Sequence, residues 1–281
     1  MSVCVAIIGA GGKMGTRLSV NLAEFDYQLL YSERGAAGVA KLQERGVECT
    51  DPGAAAAVAD IVALAVPDAR MEVVAAELVP VAKPGAIILM LDPAAAAAGV
   101  VAVRDDLHYV VCHPCHPAMF LQQPTDEARR DLFGGVAAVQ DIVIALMQGS
   151  EEAFALAEEL CRRMFAPVAT AHRITVEQMA ILEPAMAEVV AASAAVLIGE
   201  ALEEAVRRGV PRAAARAFML GHVQVPLAIV LGATDAPFSD AAKIAVAYGR
   251  EMIYRPDWRK VFDADHVREA IHRMLHPEEQ P

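Results

Sequence analysis

The sequence predicts an α/β protein, with a Rossmann-type dinucleotide-binding domain over residues 1–173 and an all-α C-terminal domain over 174–281. Three observations predict it. Strand-length apolar runs alternate with helical segments as far as residue 173. A glycine-rich loop follows the first run directly. Beyond residue 174 the apolar periodicity becomes helical and stays so. The chain is 281 residues long and 56% hydrophobic but only 5% aromatic, a balance that suits close-packed helices around a sheet buried on both faces.

Val3–Ile8 is the first strand, followed at once by Gly9-Ala10-Gly11-Gly12-Lys13-Met14-Gly15 and a helix over about 14–24. Strand, glycine turn and helix N-terminus together make a phosphate site, because free amides and the positive helix end face the pyrophosphate. The spacing departs from G-x-G-x-x-G, with Met14 at the third position and Gly15 one later. A second strand, Gln28–Ser32, ends at Glu33, which lies 18 residues after Gly15. An acid there suits the ribose hydroxyls of NAD, whereas the neighbouring Arg34 leaves a 2′-phosphate, and so NADP, open. Ile61–Val66 ends in Pro67-Asp68, and Ala86–Leu91 ends in Asp92-Pro93. Ligands of open parallel sheets sit beyond the carboxyl ends of strands, so both pairs point at the cofactor crevice. Asp92 is equally well read as a helix cap, since alanines follow it.

The strand Tyr109–Cys112 runs into His113-Pro114-Cys115-His116-Pro117. By the same rule this segment lies at the mouth of the site. Cys112 and Cys115 have redox-pair spacing but no helix follows them, and strand alternation turns Cys112 into the sheet. A closed zinc site would need a second ligand pair at finger-like spacing, which the sequence lacks. An open catalytic metal site needs fewer ligands, drawn from distant parts of the chain, so one or both histidines suit it. They suit hydrogen bonds to substrate or backbone equally well.

Gln140–Met147, Glu151–Phe165 and Pro167–His172 read as strand, helix and strand. Thr175 caps a long apolar helix that reaches about Arg208, where Gly209-Val210-Pro211 breaks it; helices follow at about 211–221, 222–232, 239–250 and 265–275. Glu183 stands in the apolar stretch MAILEPAMA immediately before Pro184, which removes a helix hydrogen bond and implies a kink. A carboxylate on an apolar face needs a partner: a metal, a substrate hydroxyl or an arginine. Glu177, six residues earlier, faces about 240° away on an ideal helix and is held in reserve. His222 reads as a satisfied core residue, and Arg255-Pro256-Asp257-Trp258 as a docking turn.

The formal charge of −12 argues against nucleic acid as a partner. No apolar run of roughly 18 residues lacks charges or turn signals, so no membrane span is expected. The N-terminus has no basic region, so no signal peptide is expected. Five cysteines then read as reduced thiols in a cytoplasmic protein.

The two-domain plan resembles the 6-phosphogluconate and β-hydroxyacid dehydrogenase superfamily. Its long-helix lysine is missing from TVEQMAILEP. The loop GAGGKMG is similar to that of dihydrodipicolinate reductase, but no basic HRRK-like segment follows. Over nearly the whole chain the blocks VAIIGAGGKMG, AVPDA, LDPAAA, HPCHP, ALMQG, AHRITVEQMAILEPA, RRGVP and RPDW resemble the D-apionate oxidoisomerase group. The resemblance implies an NAD-dependent oxidation at C2 of a branched sugar acid. An α-ketol shift then moves a hydroxymethyl group and gives 3-oxo-isoapionate, as in ketol-acid reductoisomerase run backwards. A divalent ion, zinc or magnesium, suits such a shift. His116 and Glu183 are then the expected metal ligands or substrate-oxygen contacts, with His113 as acid/base or as a partner that supports the ligands from behind. Plain NAD(P)-dependent hydroxyacid dehydrogenation without migration, and NAD(H) sensing without turnover, are the alternatives. The alanine-rich helical faces and the resemblance both imply a homodimer.

Overall fold

The computed structural model describes residues 2–279. Strands and helices alternate as β1 (Val3–Ile8), α1 (Lys13–Leu22), β2 (Tyr27–Ser32), α2 (Ala36–Glu44), α3 (Pro52–Val58), β3 (Ile61–Leu64), α4 (Asp68–Leu78), β4 (Ile87–Met90), α5 (Ala94–Ala98), β5 (His108–Pro114), α6 (Asp126–Arg130), β6 (Gln140–Gln148), α7 (Glu151–Met164) and β7 (Val168–Arg173). The seven strands form one sheet in the order β2-β1-β3-β4-β5-β6-β7. Every residue of β3 and β4 is buried, as a parallel sheet covered on both faces requires. Val5, Ile7, Leu18, Ile61, Leu89 and Val110 form the centre of its core.

The pairings from β2 to β5 are parallel, and β5 then pairs with β6 antiparallel. The connection, residues 115–139, holds only the five-residue helix α6 and returns the chain antiparallel. Side chains give this loop its shape. Asp131 Oδ2 accepts from the amides of Val136, Ala137 and Ala138, which holds its carboxyl below the ordinary aspartate value against the opposing effect of burial. Gln123 clasps the backbone of Val139 from both ends of its amide, at 2.9 Å each.

The chain divides into two units, Met1–Glu183 with Arg268–Pro281, and Pro184–Val267. The sequence places its boundary at 173/174, before the long helix. The first turn of that helix, α8 (Val176–Ala180), instead packs on β6 and α5. A capping box starts it: Thr175 Oγ1 accepts from the Gln178 amide at 3.2 Å, and Gln178 Oε1 accepts from the Thr175 amide at 3.0 Å. From Ile181 to Ala192 the helix widens to π geometry, with Pro184 inside it. The expected kink at Pro184 is therefore taken up by a wider turn. Proline cannot donate to the carbonyl four residues back, and a longer hydrogen-bond loop absorbs the loss.

The second unit continues with α9 (Ser193–Arg207), α10 (Arg212–Val230) and α11 (Asp240–Ile253), and α12 (Ala264–Leu275) leads back toward the chain end. Residues 211–232, expected as two helices, are essentially one. Gly221 keeps helical backbone and Pro226 is accommodated inside α10. His222 lies exposed on α10, not in a core, with its ring stacked on Phe218 at 3.7 Å and Nδ1 2.9 Å from the Phe218 carbonyl. By length and composition Val176–Arg207 and Arg212–Val230 are both apolar enough to cross a membrane. Both runs still hold the interruptions that the sequence shows, Glu183 and Glu188 inside the first and Gly221 and Pro226 inside the second.

Candidate active site

The carboxyl ends of β1 to β5 carry the chemistry. Gly9 follows β1 with φ +86°, and a Cβ there would lie 2.4 Å from the Ala65 carbonyl oxygen. Gly15, the displaced glycine of the fingerprint, packs α1 onto the loop so closely that a Cβ would lie 2.2 Å from the Gly9 oxygen. Gly12 begins α1 without any side-chain cap, so the first amides of the helix remain open to an anion. Glu33 closes this cradle from β2. Its Oε2 accepts from the Gly11 amide at 3.1 Å, and its Oε1 from the Arg34 and Gly35 amides at 2.8 and 3.0 Å. Oε2 keeps a lone pair for a ribose hydroxyl. Pro67 lines the same pocket together with Glu33, Arg70, Val73 and Val74. These features fit a dinucleotide. Met14 packs against the sheet core, and the Lys13 ammonium sits 4.3 Å above the Phe133 ring.

Two strand ends further along and the long helix converge on a second centre. His113 is still on β5, which extends beyond the expected Cys112. Alternation puts Cys112 in the core, where burial raises its thiol pKa, and sends His113 to the opposite face. His113 Nδ1 lies 2.9 Å from the Leu91 carbonyl. A carbonyl only accepts, so Nδ1 carries the proton and the neutral ring keeps a lone pair on Nε2. That atom faces Glu183 Oε2 at 3.4 Å. Two acceptors at this distance repel unless a cation or a proton lies between them. Asp92 completes the group: its Oδ1 caps α5 through the Ala94 amide at 2.8 Å, and its Oδ2 stands 3.8 Å from His113 Nδ1. The cap reading of Asp92 and its place at the crevice thus hold together. One donor atom each from Asp92, His113 and Glu183 lie within 4.8 Å of one another, and all three side chains are more than four-fifths buried. This donor set suits a divalent cation.

Asp68 begins α4 beside this group. Burial, and then the charge of Asp92, push its carboxyl up to about 6, with His113 pulling the other way. The structure thus links Pro67-Asp68 to both centres.

His116 is not at the centre. The chain leaves β5 after Pro114, and His116 takes a left-handed backbone with φ 60°. Its Nδ1 lies 2.9 Å from the Phe133 carbonyl, and its ring meets that of His113 edge-on at 6.3 Å. Of the expected ligand pair, Glu183 stands in the cluster and His116 does not; His113 occupies that place. Glu177 is exposed, and its carboxyl is lowered chiefly by a hydrogen bond with the Thr175 side chain. Arg34 is engaged by Glu77. Phe133 and Asp92 are the site residues that sequence reasoning missed or left undecided.

Comparison with known proteins accords with both centres. Residues 4–98 match the NAD binding domain of 6-phosphogluconate dehydrogenase, and residues 121–275 match the phosphogluconate dehydrogenase (decarboxylating) C-terminal domain. A D-apionate oxidoisomerase from Cupriavidus necator is 45% identical over 271 residues, covering 96% of this chain and 98% of that one. The chain belongs to the D-apionate oxidoisomerase family. Another relative, from Blautia hydrogenotrophica, is 42% identical and covers 98% of both chains. A crystal structure of a semialdehyde dehydrogenase NAD-binding protein from Cupriavidus necator, in complex with calcium and NAD, superposes with a TM-score of 0.94 at 44% identity. It covers 98% of this chain and all of its own. The family's first domain binds NAD, so the fingerprint read from Gly9 to Glu33 belongs to an NAD-binding domain.

The Asp68 carboxyl yields a stability prediction. Its folded pKa lies above the ordinary value, so the native state favours the proton and loses stability as pH rises from about 4 through about 6. The shift corresponds to about 3 kcal/mol for a fully ionised group, and solvent contact reduces this to about 1–2 kcal/mol. In the presence of chelator, Asp68→Asn should therefore be more stable than the parent near about pH 8 and no more stable near about pH 4. Urea unfolding at the two pH values checks it; equal effects at both would contradict the assignment.

Proposed function

We propose that this protein is an NAD-dependent D-apionate oxidoisomerase whose reaction centre is held by Asp92, His113 and Glu183. The observation that carries the reading is the facing of His113 Nε2 and Glu183 Oε2 at 3.4 Å, with Asp92 alongside. These three residues would hold a divalent cation. The calcium in the relative's crystal structure supports an oxygen-preferring ion in place of zinc. When bound, NAD supplies the hydride acceptor and the cation supplies Lewis acidity toward neighbouring hydroxyl and carbonyl oxygens.

The chain's own residues do the remaining work. The open amides of α1 bind the pyrophosphate, and Glu33 Oε2 accepts a ribose hydroxyl. His116 is the proton carrier. With Nδ1 donating to the Phe133 carbonyl, its Nε2 is an acceptor in an exposed position. It takes the C2 hydroxyl proton during oxidation and releases it to solvent. In the migration the hydroxymethyl group moves from C3 to C2 with its bonding pair. The C3 hydroxyl becomes a carbonyl, and the C2 oxygen takes up the proton that the C3 hydroxyl gives up. The two histidines therefore exchange the roles expected from sequence.

Purified protein should form NADH from D-apionate and NAD, and carbon NMR of the product should show the rearranged skeleton. Chelator, or His113→Ala, should lower kcat by at least about 100-fold. Unrearranged product would leave a plain dehydrogenase, and chelator-insensitive turnover would remove the cation from the mechanism.

The apolar helices of the second unit support a homodimer. Neither α9 nor α11 buries a single residue, and Phe218, Ile244 and Met252 are each about two-thirds or more exposed. Charged residues on the same helices, including the Glu203–Arg212 pair, suit a protein partner better than lipid. A cytoplasmic enzyme accords with five unpaired cysteines. Sedimentation equilibrium should give twice the chain mass without detergent; a monomer across the concentration range would contradict the dimer.

A further inference from the structure

The pocket beside Glu33 holds a second charged arrangement that the reaction does not use. Arg34, the residue after the ribose-binding acid, stands where an arginine can meet a 2′-phosphate. Its guanidinium is engaged. Nη1 donates to Glu77 Oε2 at 2.7 Å and Nη2 to Glu77 Oε1, a two-pronged pair between the end of β2 and the last turn of α4. Asp51, the cap of α3, adds a further negative charge felt by both partners. Arg34, Glu33 and Glu77 all line the one pocket.

We propose that Glu77 is a cofactor-specificity residue that holds Arg34 away from the 2′-position and so disfavours NADP. The proposal rests on the reading of this pocket as the adenosine end of the NAD site. Glu33 alone would repel a 2′-phosphate, but an arginine adjoining it would offset that repulsion. Two-pronged pairing fixes the planar guanidinium in direction as well as charge. Discrimination by the chain thus has two parts, a carboxylate that faces the ribose and a carboxylate that occupies the cation.

Fluorescence titration of the full-length protein with NADH and with NADPH tests this without turnover. Glu77→Gln keeps the shape of the side chain and removes its charge. It should tighten NADPH relative to NADH by roughly fivefold, the order expected of an exposed pair. The gain should vanish when Glu77→Gln is placed on an Arg34→Ala background. A ratio within about twofold of the parent's, or a gain that survives the loss of Arg34, would overturn the proposal, since a general charge effect does not need that residue. A parent protein that binds neither nucleotide would overturn the adenosine-pocket reading and the proposal with it.

Discussion

The hydrogen bond from His113 Nδ1 to the Leu91 carbonyl governs the reaction centre. It crosses from β5 to the end of β4, and it decides which ring nitrogen is left to act. With Nδ1 donating, Nε2 of the neutral ring is an acceptor, and the Glu183 carboxylate facing it is a repulsive neighbour unless a cation or a proton lies between them. The sheet enforces this arrangement. Met90 pairs with Val111 in the parallel register, so Leu91 leaves β4 level with Cys112, one residue before His113, and its carbonyl comes within reach of the ring. Neither residue can shift by one position without turning its side chain to the other face. A centre built this way is preorganised for a positive charge.

The long helix supplies the remaining carboxylate, and its departure from α geometry is part of the design. Thr175 and Gln178 fix where the helix begins, and α8 is anchored on β6 and α5. Glu183 follows within one turn of that anchor, in the wider π stretch that accommodates Pro184. Glu177 lies on the exposed face of that first turn, away from the cluster. The loop between β5 and β6 performs a comparable service for His116. Asp131 and Gln123 tie its backbone together, and the Phe133 carbonyl sets the histidine tautomer while the Phe133 ring receives Lys13 from the glycine loop. Phe133 therefore joins the glycine loop to His116.

Much of this is legible in the sequence where the signal is local. The strand–glycine–helix pattern from Val3 to Gly15 and the acid at Glu33 follow from spacing, because a turn and a strand length suffice to place them. Glu183 stands out because an acid in an apolar run has a cost that demands a partner. The choice between His113 and His116 is not local. It depends on two additional residues of strand in β5, held by the antiparallel pairing with β6, and on a left-handed backbone at His116. The sequence places Asp92 either at a helix cap or at the crevice, and only the fold shows that one oxygen serves the cap while the side chain also stands beside His113. The Arg34–Glu77 pair joins residues 43 apart, so no sequence window contains it.

The central claim is that Asp92, His113 and Glu183 form a cation site and that His116 stands outside it. Calorimetric titration of calcium into the parent protein, His113→Ala and His116→Ala tests this directly. The account predicts saturable one-site binding in the parent and in His116→Ala, and its loss in His113→Ala. Binding that survives His113→Ala but is lost in His116→Ala would contradict it.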